Sequence, residues 1–255
     1  RPEAIKLVPI ILELKNSPYF EPIICFTGQH QELVTPILDI FKIKPDLNFK
    51  LMTHNQSLSQ LSSTLLQKFE TYFKDSKPDL IITQGDTLSA FITSLSGYYH
   101  KIPMAHIEAG LRTYDHYNPF PEEINRTLIS KLSTYHFAPT QNAIENLKKE
   151  NITKHVYLVG NTGIDSLLSI TKKLKHLQTT KELEKKYSFI KDKTTKKIIV
   201  TLHRRENIGK PLDNICEAIT TLAQEHPTIQ FIAPIHKNPK ISKQVTTKLA
   251  NKSKR

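Results

Sequence analysis

The sequence lacks the features that mark membrane and secreted proteins. No apolar run approaches the roughly 18 residues of a membrane-spanning helix, and no basic-then-apolar leader is present. The chain has only two cysteines. Cys25 falls in a strand-like run and Cys216 in a helix-like run, so we expect both to be buried and reduced. These absences predict a cytoplasmic protein without a membrane partner.

Short motifs of several common catalytic classes are missing as well. The chain contains no GxGxxG, Walker, Gly-x-Ser-x-Gly, His-Glu-x-x-His or Cys-x-x-Cys pattern. The sequence therefore gives no reason to expect a bound dinucleotide, a zinc ion or a hydrolase serine.

Positive charge is concentrated in the last third of the chain. Residues 1–171 hold 16 Lys and Arg against 17 Asp and Glu, whereas residues 172–255 hold 20 against 7, which together give the net charge of +12. Such a block could attract nucleic acid or an anionic small molecule, or it could form a solvated, lysine-rich surface. Because the lysines are scattered over helix-like segments with little aromatic interleaving, we expect no nucleic-acid partner.

Apolar runs alternate with helix-like segments throughout residues 1–165. The alternation predicts a parallel sheet that helices cover on both faces, which is the doubly wound α/β arrangement. The predicted strands of this N-terminal domain are Pro22–Thr27, Leu47–Met52, Asp79–Thr83, Pro103–Ile107, Tyr135–Ala138 and Val156–Val159.

The two ends of the chain interrupt this pattern. The chain opens directly on a helix, without the strand that a doubly wound sheet usually places at its centre, so we expect the strands on either side of that position to separate. Residues 166–195 indicate a polar helical linker, and residues 196–255 begin a second α/β domain with only two strands. We therefore expect an excerpt of a longer protein, with an N-terminal domain that lacks its first strand and a truncated second domain.

Three carboxylates follow apolar runs or begin a predicted helix, namely Asp86, Glu108 and Glu122. In parallel sheets, ligands bind beyond the carboxyl ends of the strands. We therefore expect the three side chains to meet in one cleft, with Arg112 and Arg126 beside them. Carboxylates in unlike surroundings suit proton transfer, and the arginines suit an anionic substrate.

Each of these residues also has a structural interpretation. Asp86 could be the N-cap of the following helix, and one of Glu122 and Glu123 could only complement the helix dipole. Glu108 lies at a buried turn, where a carboxylate needs a partner or a raised pKa. Arg112 could be that partner, or it could hold a phosphate or sugar oxygen.

Cationic and titratable side chains also stand at strand ends in the second domain. His203, Arg204 and Arg205 lie between a predicted strand and a helix start, which is a natural anion site. His236 and Lys237 occupy the corresponding loop of the next unit, and this repetition favours a functional role over a structural one.

In this order and spacing, the motifs of the chain resemble those of the non-hydrolysing UDP-N-acetylglucosamine 2-epimerases. The matching stretches are Arg1–Lys6, Thr27–His30, Gln84–Thr87, His106–Thr113, Pro119–Arg126, Gly160–Gly163, His203–Glu206 and Pro234–Pro239. The resemblance implies the GT-B fold, with two Rossmann-like doubly wound domains and the substrate in the cleft between them. It also implies a homodimer when the protein is full-length.

The reaction of this isomerase family interconverts UDP-GlcNAc and UDP-ManNAc. The resemblance implies elimination of UDP to an enzyme-bound 2-acetamidoglucal, reprotonation at C2 and re-addition of UDP. It implies no metal and no redox cofactor, and a role in supplying ManNAc units for surface polysaccharide. A hydrolysing relative that releases ManNAc and UDP is the nearest alternative, and a non-catalytic remnant is another.

Motif matching carries the family's roles onto particular residues. The catalytic candidates are Asp86, Glu108, Glu122 and His203, and no carboxylate is assigned to one face of the sugar. The substrate-binding candidates are Arg1, Lys6, Arg112, Arg126, Arg204 and His236.

Some features of the family are absent from the chain. It has no Asp-Ser-Gly-Gly-Ile-Gln-Glu-Glu motif, which helps to bind UDP in the family, so we expect the 255-residue chain by itself to be inactive. Gln29 matches a loop that forms a second, regulatory UDP-GlcNAc site in some members. Glu32 and Asn55 replace the Gln and Arg expected for that site, which argues against such regulation.

Overall fold

The computed structural model describes residues 2–28, 31–51, 56–174, 181, 184–187, 189, 191–202, 207–235 and 239–249. The chain divides into two compact units, Arg1–Lys173 and Leu174–Arg255. Within the described residues, no helix is both long enough and apolar enough to cross a membrane.

The first unit alternates helices with short strands. Its helices are α1 (Pro2–Asn16), α2 (Gln31–Ile40), α3 (Leu58–Asp75), α4 (Leu88–Tyr99), α5 (Glu122–Leu132), α6 (Gln141–Lys149) and α7 (Thr162–Leu174). Its strands are β1 (Cys25–Phe26), β2 (Leu47–Asn48), β3 (Ile81–Gln84), β4 (Met104–Ile107), β5 (Tyr135–Ala138) and β6 (Val156–Leu158). Each predicted strand is present, although several are shorter than the apolar runs that indicate them.

The strands of this unit form two parallel sheets. β1 pairs with β2, and the strands β3, β4, β5 and β6 form a four-stranded sheet in that order. Among the described residues, no strand pairing joins β1 to β3. The two sheets of this unit are therefore not joined by strand pairing in the part of the chain that the structure describes.

Helix α3 shows how apolar spacing builds the core of the four-stranded sheet. Ser57 caps its N-terminus, and the side chains of Ser57 and Gln60 each accept from the other's backbone amide in a capping box. The apolar residues that recur every four positions are buried: Leu61, Leu65, Phe69 and Phe73. They belong to one cluster with Ile81 and Met104 of the sheet, so this helix covers one face of the strands.

Helix α1 packs on the two-stranded sheet. Val8 is fully buried in a core cluster against which Phe26 of β1 packs. Helix α7 joins this packing through Ile170, and the buried hydroxyl of Ser166 donates a hydrogen bond to the carbonyl of Ile5 in α1. Because of these contacts, the first unit ends at Lys173 and includes the first residues of the linker predicted at 166–195.

The second unit contains two parallel strands, β7 (Lys196–Ile199) and β8 (Ile229–Ile232), with the helices α8 (Lys210–Glu225) and α9 (Pro239–Leu249). Both predicted strands of this unit are therefore present. Its small core consists of Leu212, Cys216, Ile241 and Val245. The side chain of Gln244 hydrogen-bonds both backbone groups of Gly209, which holds the start of α8.

The two cysteines have different surroundings. Cys216 is buried, as expected, whereas Cys25 is exposed. The expectation of a buried Cys25 is wrong because its neighbours Ile24 and Phe26 pack against the core cluster of α1. Side chains alternate between the two faces of a strand, so Cys25 lies on the face opposite this cluster.

Leu65→Ala should strongly destabilise the first unit. Leu65 is fully buried in the cluster between α3 and the sheet, and truncating such a leucine typically costs about 2–5 kcal/mol. Urea unfolding followed by circular dichroism measures the loss. Leu58→Ala, at an exposed position of the same helix, is the control and should change the free energy of unfolding by no more than about 0.5 kcal/mol. Equal effects of the two variants would contradict this packing.

Candidate active site

Asp86 lies just beyond the end of β3, where the chain turns into α4. Oδ2 of its carboxylate lies 2.6 Å from Nη2 of Arg126, and its backbone carbonyl accepts a hydrogen bond of 2.9 Å from Nδ2 of Asn125. The N-cap of α4 is Thr87, whose hydroxyl accepts from the amide of Ala90. The Asp86 carboxylate therefore does not serve as the cap and faces a cation of α5 instead.

Burial raises the pKa of Asp86 above its usual value. The guanidinium of Arg126 acts in the opposite direction, and the carboxylates of Glu122, Glu108 and Glu3 add to the rise. Burial prevails over the ion pair, so Asp86 holds a proton more readily than an ordinary aspartate does. The other two predicted carboxylates, Glu108 and Glu122, therefore lie close enough for their charges to act on Asp86.

Glu108 follows β4, and three side chains hold its carboxylate. Nζ of Lys6 lies 2.6 Å from each oxygen, Nε2 of Gln84 donates to Oε2 at 2.6 Å, and Nδ2 of Asn161 donates to Oε1 at 3.2 Å. The backbone of Glu108 is left-handed, with φ of 67°, which is uncommon for a residue other than glycine and clusters at functional sites. The three donors come from α1, β3 and the segment after β6, so distant parts of the unit converge on one side chain.

The two acids at the start of α5 have different surroundings. Glu122 is partly exposed, and within the described part of the chain its carboxylate has no hydrogen-bonding or ion-pair partner. Glu123 is 2% exposed and accepts from the amides of Thr113 and Tyr114. Of the two acids, Glu122 is therefore the one that is available to a substrate.

The guanidinium of Arg112 is directed elsewhere. It is almost fully buried, forms a two-point ion pair with Glu150 at 2.6 and 2.8 Å, and donates to Oγ of Ser130 at 3.0 Å. The hydrogen bond from Arg112 is also the main cause that lowers the pKa of Glu150. Because these partners engage its donors, the geometry favours a structural role for Arg112 over the predicted contact with Glu108 or with substrate.

Comparison with known proteins identifies the family. The family model described as UDP-N-acetylglucosamine 2-epimerase matches residues 12–255. The chain belongs to this family. It is 42% identical to the UDP-N-acetylglucosamine 2-epimerase of Neisseria meningitidis, over 98% of this chain and 68% of the relative. It is 40% identical to that of Salmonella typhimurium, over 96% of this chain and 65% of the relative, and thus spans about two thirds of the length of these epimerases.

Two solved epimerase structures share the fold. The UDP-GlcNAc 2-epimerase from Neisseria meningitidis bound to UDP-GlcNAc matches with a TM-score of 0.94 and 42% identity, over 99% of this chain and 68% of that chain. The co-structure of S. aureus MnaA with UDP matches with a TM-score of 0.86 and 38% identity, over 100% of this chain and 65% of that chain. These neighbours are of the GT-B type, so the predicted fold class is confirmed.

Several of the residues predicted from the epimerase motifs lie outside the described residues: Arg1, Gln29, His203, Arg204 and His236. Their roles stay predictions. The predicted residues that the structure brings together are Lys6, Asp86, Glu108, Glu122 and Arg126. Across the described part of the chain, no group of three or more His, Cys, Asp or Glu side chains is placed to hold a metal ion.

Three side chains that shape this candidate site were not predicted as site residues: Gln84, Asn125 and Asn161. Two of them bind the carboxylate of Glu108, and Asn125 holds the backbone of Asp86. All three lie within motifs that carry the family resemblance. Their positions at the end of a strand, after a strand or in the first turn of a helix are the signal that could have identified them.

Two buried histidines lie in neighbouring strands of the sheet that carries the site. His106 of β4 and His136 of β5 are partners in the strand register, and burial lowers the pKa of each to about 4. Nε2 of His106 donates to the carbonyl of Gly85 at 2.7 Å, whereas its Nδ1 is buried without a partner among the described residues. A second proton on His106 would therefore sit at a buried nitrogen with no acceptor, which favours the neutral ring.

Acid should destabilise the first unit through His106. Its folded pKa of about 4 lies below the ordinary value of 6.5, so the unfolded chain takes up the proton first. The stability that is present above pH 6.5 is then lost as the pH falls toward 4. One pKa unit corresponds to about 1.4 kcal/mol, which makes the contribution of His106 roughly 3 kcal/mol.

Urea unfolding at a series of pH values across this range measures the effect. His106→Gln, whose amide can still donate to Gly85, should lose stability less steeply than the wild type as the pH falls. His116→Gln, at an exposed position, should follow the wild type. An NMR titration that gives His106 an ordinary pKa in the folded protein would contradict this account.

Proposed function

We propose that the protein that carries this sequence interconverts UDP-GlcNAc and UDP-ManNAc. The observation that carries the proposal is the convergence of Asp86, Glu108 and Glu122 beside two cations, Lys6 and Arg126. Membership of the family supports it, as does the UDP-GlcNAc bound to the Neisseria meningitidis relative. The site combines carboxylates that can transfer protons with cations that suit a nucleotide diphosphate.

The proposed reaction needs a base and an acid on opposite faces of the sugar. A carboxylate removes the proton from C2, the C2–H electron pair forms the C1–C2 double bond, and the C1–O bond breaks with its electrons on UDP. The resulting 2-acetamidoglucal takes a proton at C2 from the other face, and a phosphate oxygen of UDP bonds to C1 again. Protons and electrons balance within the cycle, so the chemistry requires no redox partner.

The surroundings of the carboxylates suggest how they divide these roles. Burial and neighbouring carboxylates raise the pKa of Asp86, which suits a group that must carry a proton. Glu108 is oriented by hydrogen bonds from Lys6, Gln84 and Asn161. We infer that Asp86 serves one face of C2 and that Glu108 serves the other, with Glu122 as the further acid of the site.

Cations must stabilise the charge that develops on the leaving UDP. Lys6 and Arg126 are suited to this role because each is already held by a carboxylate and is still partly accessible, with 25% and 12% of the side chain exposed. Such groups need little rearrangement when the C1–O bond breaks.

A cytoplasmic location, a homodimer and a role in surface polysaccharide belong to the same proposal.

Glu108→Gln in the complete gene product should abolish epimerisation at C2. The amide keeps the size of the side chain but cannot take up the proton, so the affinity for UDP-GlcNAc should stay within about threefold of the wild type. Proton NMR follows the formation of UDP-ManNAc, and calorimetry measures binding. Glu13→Gln, at an exposed position of α1, is the control for loss of a negative charge. Near-normal turnover of the Glu108 variant would remove Glu108 from the mechanism.

The same NMR assay tests the proposed reaction itself. The complete gene product should form UDP-ManNAc, and in D2O it should place deuterium at C2. Release of free ManNAc and UDP would instead identify the hydrolysing reaction, and absence of any conversion would overturn the proposal. The 255-residue chain, assayed in parallel, is expected to be inactive, and formation of UDP-ManNAc by this chain would contradict that expectation.

A further inference from the structure

Glu123 is a buried acid that the proposed reaction does not use. Its side chain is 3% exposed. Both oxygens accept from the amide of Thr113, at 3.0 and 3.1 Å, and Oε1 also accepts from the amide of Tyr114 at 2.9 Å. Burying a carboxylate is unfavourable unless donors replace its water. Here these donors are backbone groups of the segment that follows Glu108.

The segment from Glu108 to Tyr114 has an unusual backbone. Glu108, Gly110 and Tyr114 have positive φ angles of 67°, 87° and 62°. A β-carbon at Gly110 would lie 2.2 Å from the carbonyl oxygen of Ala143, so the segment also packs tightly against α6. Left-handed residues other than glycine persist only where the surrounding structure holds them, which means that the orientation of Glu108 depends on the anchors of this segment.

Helix α6 supplies a second anchor. Nδ2 of the buried Asn146 donates to the carbonyl of Gly110 at 3.0 Å, and the hydroxyl of Tyr114 donates to Oδ1 of Asn146 at 2.8 Å. The amides that bind Glu123 are therefore in the same stretch that Asn146 fixes at both ends. Together, α5 and α6 hold the residues that directly follow Glu108 in the chain.

Glu123 also contacts the cation that holds Asp86. Oε2 of Glu123 lies 3.7 Å from Nη1 of Arg126, and Nη2 of Arg126 lies 2.6 Å from Oδ2 of Asp86. Glu123 and Arg126 are neighbours at i,i+3 on α5. A single carboxylate therefore contacts both the segment that orients Glu108 and the arginine that orients Asp86.

We propose that Glu123 is a positioning residue of the epimerase, which fixes the carboxylates of Glu108 and Asp86 relative to each other. The inference rests on the proposed function, and in it Glu123 touches neither the substrate nor the reacting atoms. A glutamine would have nearly the same size but would lose the charge and one of the two acceptor oxygens. Its NH2 group would then face a backbone amide or Arg126, both of which are donors.

The test compares Glu123→Gln with Glu145→Gln in the complete gene product. Glu145→Gln removes the same charge from an exposed position of α6. For Glu123→Gln we expect kcat to fall about tenfold to hundredfold while KM for UDP-GlcNAc stays nearly unchanged, because geometry rather than binding is lost. Hydrogen exchange at the amides of Thr113 and Tyr114 should accelerate by about tenfold or more. Glu145→Gln should match the wild type in all three measurements.

Tyr114→Phe is a second and milder variant. It removes the hydrogen bond to Asn146 from a ring that is largely exposed, so folding is not at risk. It should lower kcat by about threefold without a change of KM. This variant decides the question if Glu123→Gln does not fold, because an unchanged kcat would then overturn the proposal.

Other outcomes would distinguish a positioning role of Glu123 from a purely structural role and from contact with the substrate. Faster amide exchange with an unchanged kcat would show that Glu123 only stabilises the fold, and a raised KM with unchanged exchange would show that it contacts substrate. Either result overturns the proposal. If the wild type does not convert UDP-GlcNAc, both the proposed function and this inference fail. If the wild type is active and the kcat of Glu123→Gln equals that of the wild type, only this inference fails.

Discussion

The contact between Lys6 and Glu108 is the constraint on which the site depends. It joins residues 102 positions apart in the chain, one in the first helix and the other just after β4, and both carboxylate oxygens lie 2.6 Å from the ammonium group. Glu108 combines a left-handed backbone with a carboxylate that is 13% exposed, so its charge without this partner would be strongly unfavourable. The ion pair therefore fixes α1 against the carboxyl end of the sheet.

The partner that each carboxylate contacts decides what that acid can do in the site. Asp86 faces Arg126, and Glu123 accepts from two backbone amides. Glu122 is partly exposed and, among the described residues, has no comparable partner. A paired carboxylate must weaken an existing contact before it binds a ligand, whereas an unpaired one needs no such step. Of these acids, Glu122 is therefore the one that can meet a substrate without first giving up a contact.

Strand positions and the proximity of Asp86 and Glu108 could be predicted from the sequence, but the partner of each charge could not. Asp86 and Glu108 follow apolar runs, and such runs in a parallel sheet end at a common edge. The partner of Arg112 is Glu150, 38 positions away, and no local pattern indicates that pair. Cys25 shows the same limit of sequence-based prediction. It lies in an apolar run, but the packing of α1 decides which face of the strand is buried.

In the described residues, helix packing links the two parallel sheets of the first unit. Among the described strands, β1 and β2 pair only with each other. Helix α1 packs on their cluster through Val8 and reaches the end of the four-stranded sheet through Lys6. Ser166 of α7 donates to a backbone carbonyl of α1, and Asn161, just before α7, donates to Glu108. Helices α1 and α7 meet in the core, and residues in or next to them also meet at the carboxylate of Glu108. A shift of either helix would therefore displace a donor of Glu108. The packing of α1 on α7 thus contributes both to the stability of the core and to the orientation of the acid.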